Sequence, residues 1–451
     1  MKMKRIFSTM MAFGLAATLV ACGGEGAKKD DAADKKDDKA ADKAEDKKED
    51  SKEGQELSDD DKKALDSFEK QTTDDTLVIG TSEMSGDFYP GWSNNSYDVK
   101  VRKLIGIYGN NSYDTLVQDE AGKWQYNSAC LEKEPETVKN ADGSETTTFT
   151  LKKDLKWSDG SPVTSDNYLF SALFHSYPSY QLVTGSTNIG SDSLKGYQAY
   201  KNGDDDKFEG LEKVDDQTFK VTVDASFLPY FEEEYLKVIS PFPTQAISEN
   251  LAVAPEGNKI IAKDGYQPTD EEKAQYIKNI DAQIAKSKED FEENNPAPKD
   301  DAKDEEKKAY EEAKKAQEEN VAKLESRKTG EVDPTSMLIE EAMQKEFNEY
   351  RTAPKISAGP YKFDSFENNM AKLSLNEYYQ GNFKGDKATI PHVIVQTVNS
   401  KIAINLLENG DIDIWDSEAE GALIDQMRAA ADEGKIGGYN TYERNGYGNV
   451  T

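Results

Sequence analysis

Thr146-Thr147-Thr148-Phe149-Thr150-Leu151-Lys152-Lys153-Asp154-Leu155-Lys156-Trp157-Ser158-Asp159-Gly160-Ser161-Pro162-Val163-Thr164-Ser165-Asp166 passes from strand to turn to helix without a break. The threonine-rich run alternates, with Phe149 and Leu151 on one face and threonines on the other, as expected of a half-buried strand. Asp154, Trp157 and Asp159-Gly160 end it in a turn. Beyond Pro162, Thr164 or Ser165 is placed to cap a helix through Tyr168, Leu169, Phe170, Ala172, Leu173 and Phe174.

Strand patterning recurs on both sides of this stretch. Thr76-Leu77-Val78-Ile79-Gly80-Thr81 is the first β-prone run, and weaker helical spacing follows over Tyr97 to Tyr108. Phe219 to Val223, Lys372 to Leu375 and Pro391 to Val398 are further strand candidates. Residues 264–350 differ in kind. Ile277, Ile280 and Ile284 recur at helical spacing among charges, Asn295-Pro296-Ala297-Pro298 breaks the pattern, and an Ala-rich charged stretch runs from Lys303 to Arg327. Two helices packed as a hairpin satisfy both the thin apolar stripe and the break. Contacts made mostly of alanine bury little area at about 25 cal/mol per Å², so the expectation is a surface appendage.

The amino-terminal end sets the compartment. Lys2, Lys4 and Arg5 precede an apolar stretch from Ile6 to Val20 that is too short to be a good permanent membrane span, the pattern of a signal peptide over residues 1–22. Residues 23–72 are dominated by Lys, Asp, Glu and Ala with no apolar face, and read as a disordered charged tether. The formal net charge of −31 lacks the basic footprint of a nucleic-acid binder. With only Cys22 and Cys130, and only His175 and His392, neither a thiolate metal cluster nor a histidine-rich metal site is expected, and Cys130 reads as a buried small hydrophobe. No nucleophile elbow, zinc helix, phosphate loop or dinucleotide fingerprint occurs, so no enzyme and no cofactor is expected.

Three signatures carry a resemblance to a known family. The stretch Phe149 to Asp166 closely resembles a signature of the family 5 bacterial extracellular solute-binding proteins, the oligopeptide and dipeptide receptors of ABC importers. Ala358-Gly359-Pro360-Tyr361-Lys362-Phe363 with Leu375 to Gly381, and Ala403 to Ile414, are similar to two more, and Ile239 to Pro243 adds a weaker match. Most of these residues also have a scaffold reason: Trp157 closes a core, Asp159-Gly160 turns, and Gly410 ends a helix. Leu19-Val20-Ala21-Cys22-Gly23 resembles a lipobox, which implies acylation at Cys22 and attachment by lipid alone to the extracytoplasmic face of the bacterial membrane.

The resemblance implies a mixed α/β, two-lobed fold of the large peptide-binding type of periplasmic binding protein. Residues 73–414 would form the first lobe, with a charged helical insertion at about 264–350, and 415–451 would begin the second, whose remainder is missing. On this expectation the chain is cut short at its carboxyl end. The implied ligand is a short peptide taken up by strand addition, and the implied partners are ABC permease subunits with their ATPases, the receptor itself being a monomer. Other members take sugars or metal complexes, and a cell-surface lipoprotein that binds a partner through the hairpin is the reading outside transport.

From the residues themselves, the best ligand loop is Ile107 to Tyr113. Here Tyr108, Gly109, Asn110, Asn111 and Tyr113 combine close backbone approach with amides and phenols, unless it is an ordinary Asn/Gly surface turn. The acid expected in the corresponding family segment is not evident there. Trp415 and Asp416 follow the third signature, as a pocket wall and a partner for a positive group, or as interdomain packing; Gly91 to Asn95 is a further rim candidate.

Overall fold

The computed structural model describes residues 57–107, 109–119, 121–186, 190–299, 303–329, 332–416 and 420–440. Residues 55–451 form one unit; 1–54 form another, outside the described residues, and Cys22 and the lipobox lie there. In chain order, α1 (Asp59–Asp66), β1 (Thr76–Thr81) and α2 (Asp98–Leu104) are followed by β2 (Leu116–Gln118), β3 (Trp124–Tyr126), β4 (Glu136–Lys139) and β5 (Glu145–Thr150). Helices α3 (Ser165–His175), α4 (Tyr180–Thr184) and α5 (Tyr197–Lys201) lead to β6 (Leu211–Lys213), β7 (Thr218–Val223), β8 (Leu251–Val253) and β9 (Ile260–Ala262). Three helices, α6 (Asp270–Asn294), α7 (Asp304–Ser326) and α8 (Pro334–Lys345), precede β10 (Tyr361–Glu367), β11 (Met370–Leu375) and β12 (His392–Thr397). The last elements are α9 (Ser400–Glu408), β13 (Ile414–Trp415) and α10 (Gly421–Asp432).

The result is a mixed α/β fold with two sheet-and-helix regions. The first is a five-stranded sheet in the order β10-β11-β12-β1-β13, in which β1 runs parallel to both β12 and β13. Both of its faces are covered. Val78 and Ile394 point to α9 and α1, whereas Leu77, Ile79, Val393 and Val395 point to a core with Phe88 and Val101, which is why these strands read as continuous apolar runs. The β10–β11 hairpin closes at Asn368-Asn369, both at positive φ (52° and 56°), the backbone a two-residue hairpin loop requires and asparagine tolerates.

The second region is built on the antiparallel sheet β4-β5-β7-β6. Phe149 and Leu151 face inward as their alternation demands; Thr147 joins them, its hydroxyl bonded to that of Thr137 at 2.8 Å. Phe149 stacks on Phe219, and Tyr168 of α3 stacks on the same ring, fixing helix to sheet. Helix α3 starts in a capping box between Thr164 and Asn167, and Trp157 is 2% exposed beside its turn.

The two regions meet where glycine is required. Gly359 N donates to Ile105 O at 2.9 Å, and a Cβ on Gly359 would stand 2.2 Å from Gly106 N, which itself sits at φ +72°.

Two boundaries differ from those read in the sequence. The charged tether does not extend to residue 72: Ser58 caps α1, and Leu57, Ala64, Leu65 and Phe68 pack on Ile402, Ala403 and Leu406. Nor is the whole of 264–350 an appendage. Helices α6 and α7 pack on each other as a helical hairpin, but Leu338, Ile339, Ala342 and Met343 of α8 belong to the main core. The hairpin is also fastened to α8. Glu340, 1% exposed, pairs with Arg327 and accepts from Gln283 at 2.9 Å, above a cluster of Tyr276, Ile280, Ile284, Leu324 and Met337. No described helix is long and apolar enough to cross a membrane.

Candidate ligand cavity

A cavity of about 830 Å³ opens beside the Gly106–Gly359 contact. Its walls come from the loop after α2, the β2–β3 hairpin, one face of α3, the segment Val238 to Pro243, and Ser357-Ala358. Within the loop, Ser112 N and Oγ both donate to Gly109 O (3.0 and 2.8 Å), a tight turn in which Gly109 takes φ +79°. Asn111 Nδ2 donates to Lys103 O at 3.2 Å. Buried Asn127 clamps the far side of the turn, its Nδ2 donating to Ser112 O and Asp114 O at 3.0 and 2.9 Å.

After the turn the chain alternates. Tyr113 is fully buried, its carbonyl accepting from Tyr168 Oη at 2.7 Å, and Thr115 is fully buried and bonded to Ile239 N through its hydroxyl. Asp114, between them, faces the cavity. Burial pushes its carboxyl up to about 6, an effect that the Ser240 and Ser112 hydroxyls oppose by hydrogen bonding to it.

On the α3 side the wall is aromatic around one buried polar pair. His175 Nε2 lies 3.0 Å from Glu346 Oε1, Ser171 Oγ is 3.3 Å from Nδ1, and Tyr89 Oη is 3.4 Å from Nε2. Glu346 is wholly buried and opens a π-helical turn, Glu346–Tyr350, that continues α8. Tyr89 and Tyr350 crowd this pair; burial first and the Glu346 charge second raise both phenols far above their ordinary range, so they act as neutral hydrogen-bonding groups.

Of the loop residues chosen from sequence, Gly109, Asn110 and Asn111 line the cavity, Tyr113 points into the core, and Tyr108 lies outside the described residues. Trp415 and Asp416 are not among the lining residues. Trp415 packs against Gly80 in the sheet, and Asp416 pairs with Lys100 of α2. Trp92, in the proposed rim, donates from Nε1 to Thr184 O at 2.8 Å. Among the described residues, no group of three or more His, Cys, Asp or Glu is placed to hold a metal ion. Cys130 is buried, its thiol pushed up to about 12 mainly by burial.

Sequence reading missed Asp114, His175 and Trp124. Asp114 had a usable signal: in Tyr113-Asp114-Thr115-Leu116 the strand period sends the acid to the face opposite its neighbours.

Residues 125–449, well over half the chain, match the family described as bacterial extracellular solute-binding proteins, family 5 middle. The chain belongs to that family. Its members are solute-binding proteins of the extracytoplasmic space, transport components without catalysis, and this member spans about half the length of the solved structures it is similar to. One is the lactococcal OppA complexed with an endogenous peptide, at 17% identity and a TM-score of 0.44, covering 76% of this chain and 46% of that one. Another is Listeria monocytogenes OppA bound to peptide, at 17% identity and a TM-score of 0.40, covering 76% and 46%. A third is the periplasmic EDTA-binding protein EppA, at 13% identity and a TM-score of 0.44, covering 80% and 46%. No curated protein matches the chain.

Proposed function

We propose that the protein captures short peptides in this cavity and delivers them to the permease subunits of an ABC importer, whose ATPases supply the energy. The observation that carries the reading is the cavity itself in a chain of this family: about 830 Å³, within the range of small-ligand sites. It is walled by main chain and amides at Gly109 to Asn111, with two carboxylates in its lining, Asp114 and Asp119, of which Asp114, next to these amides in the chain, is the one read as meeting an amino terminus. Gly109, Asn110, Asn111 and Asp114 are the proposed contacts, and Tyr108, outside the described residues, is kept as a candidate from the sequence. Tyr113, Trp415 and Asp416 are assigned to the scaffold. Acylation at Cys22 holds the protein, as a monomer, on the outer face of the cell membrane. The hairpin α6–α7 is read as an addition to the family pattern outside the ligand site.

Native mass spectrometry of the purified protein, followed by calorimetry with synthetic tripeptides, tests the reading. Retained peptide and saturable tripeptide binding are expected. A stoichiometric non-peptide solute, or no binding of any peptide, overturns it.

A further inference from the structure

Exposed aromatic side chains are concentrated in one place. Of the six that are exposed among the described residues, Phe227, Tyr230, Phe231 and Tyr235 fall within nine residues, and Tyr126 lies on β3, against which the short helix Glu233–Lys237 packs. Phe231 is 83% exposed and Tyr235 57%, values that a folded chain with an adequate core does not need for stability. The Tyr230 and Phe231 rings stand 4.6 Å apart, and Tyr235 meets Trp124 at 5.7 Å.

This face is continuous with the cavity, because Trp124 and Tyr235 belong to both. It is also acidic. Glu232 stands at the N-cap of the short helix, Glu233 and Glu234 in its first turn and Asp119 in the β2–β3 turn, against Lys123 and Lys237, and Lys237 is buried with its ammonium 3.5 Å from Glu234. Carboxylates beside exposed aromatic faces attract cations both by charge and through the ring quadrupole. The net charge of −31 repels a second copy and an anionic lipid surface while drawing cationic solutes in.

We infer that the face formed by residues 227–235 and the β2–β3 hairpin extends the cavity into a strip that selects peptides carrying lysine or arginine beyond the segment held inside. The inference rests on the peptide-capture reading above and adds the charge preference.

It is tested on the full chain by calorimetry with three probes: a neutral tripeptide, an octapeptide of alternating alanine and lysine, and the same octapeptide with glutamine for lysine. The lysine octapeptide is expected to bind about tenfold more tightly than the glutamine one at low salt, with most of that advantage lost at about 0.5 M salt. The double variant Phe231→Ser, Glu232→Gln should reduce the advantage about threefold or more; its thermal midpoint reports that it is folded, and Tyr230→Ser, tested alone, should lower the advantage in the same direction. Equal affinity for the two octapeptides, or an advantage untouched by these variants, overturns the inference while tripeptide binding keeps the parent reading. Failure of all three probes overturns both. Self-association in sedimentation that Phe231→Ser abolishes assigns the face to a second copy and overturns the inference.

Discussion

Replacing Asp114 by asparagine should make the protein more stable at neutral pH and no different in acid. The Asp114 carboxyl is pushed from an ordinary 3.8 up to about 6, chiefly by burial. Its folded value stands above its unfolded one, so the native state holds the proton more tightly; the favourable term is complete below about pH 4 and is lost as pH rises through about 6. Two units correspond to about 3 kcal/mol at 1.36 per unit, and partial solvent access at the cavity wall reduces this to roughly 2 kcal/mol. Asp114→Asn removes the ionisable group but keeps the shape. Urea unfolding followed by tryptophan fluorescence should give matching curves at about pH 4 and a variant more stable by roughly 2 kcal/mol at about pH 7.5. A bound peptide ammonium would offset the same penalty, so wild-type affinity for a tripeptide should rise as pH climbs through about 6, and the variant's should not. A variant equal to or less stable than wild type at neutral pH refutes the assignment of Asp114 as a charge held at a desolvated wall.

Gly359→Ala drives a methyl group into Gly106 N at 2.2 Å, with backbone on both sides and no flexible side chain to yield; a loss of about 3 kcal/mol is expected in denaturant titration. Glu340→Ala strands the Arg327 guanidinium and the Gln283 amide beneath the hairpin. The expected cost is about 3 kcal/mol, seen as faster limited proteolysis within residues 270–329 while the cavity still binds its ligand.

The parts legible in sequence were those whose causes are local. Phe149 and Leu151 announce a strand by alternation, Thr164 caps its own helix, and Asp159-Gly160 turns the chain with no help from elsewhere. What escaped depends on partners far along the chain. His175 and Glu346 are 171 residues apart, and neither means anything without the other. Residues 57–68 look like tether because their few apolar side chains gain value only against α9, more than 330 positions on. The hairpin's attachment escaped for the same reason, since Glu340 is one charge among many until Arg327 folds over it. Tyr113 differs in kind: residue type favoured the phenol as a lining group, whereas the fold buries Tyr113 and turns its neighbour Asp114 to the cavity.

The five-stranded sheet takes β1 from near residue 78 and its neighbour β12 from near residue 394. As the chain is made from its amino end at about 5–20 residues per second, β1 waits roughly 20 seconds to a minute for its nearest partner to exist. The inner sheet, β4-β5-β7-β6, draws its strands from residues 136–223 and can assemble in that interval. The order of synthesis therefore lets the inner sheet form first, while the apolar Leu77-Val78-Ile79 segment lacks its β12 partner until the chain is nearly made. That interval is the most aggregation-prone moment for such an edge, and the acids on the amino-terminal side of β1, Asp74 and Asp75 nearest to it, are the kind of flanking charge that opposes edge-to-edge pairing.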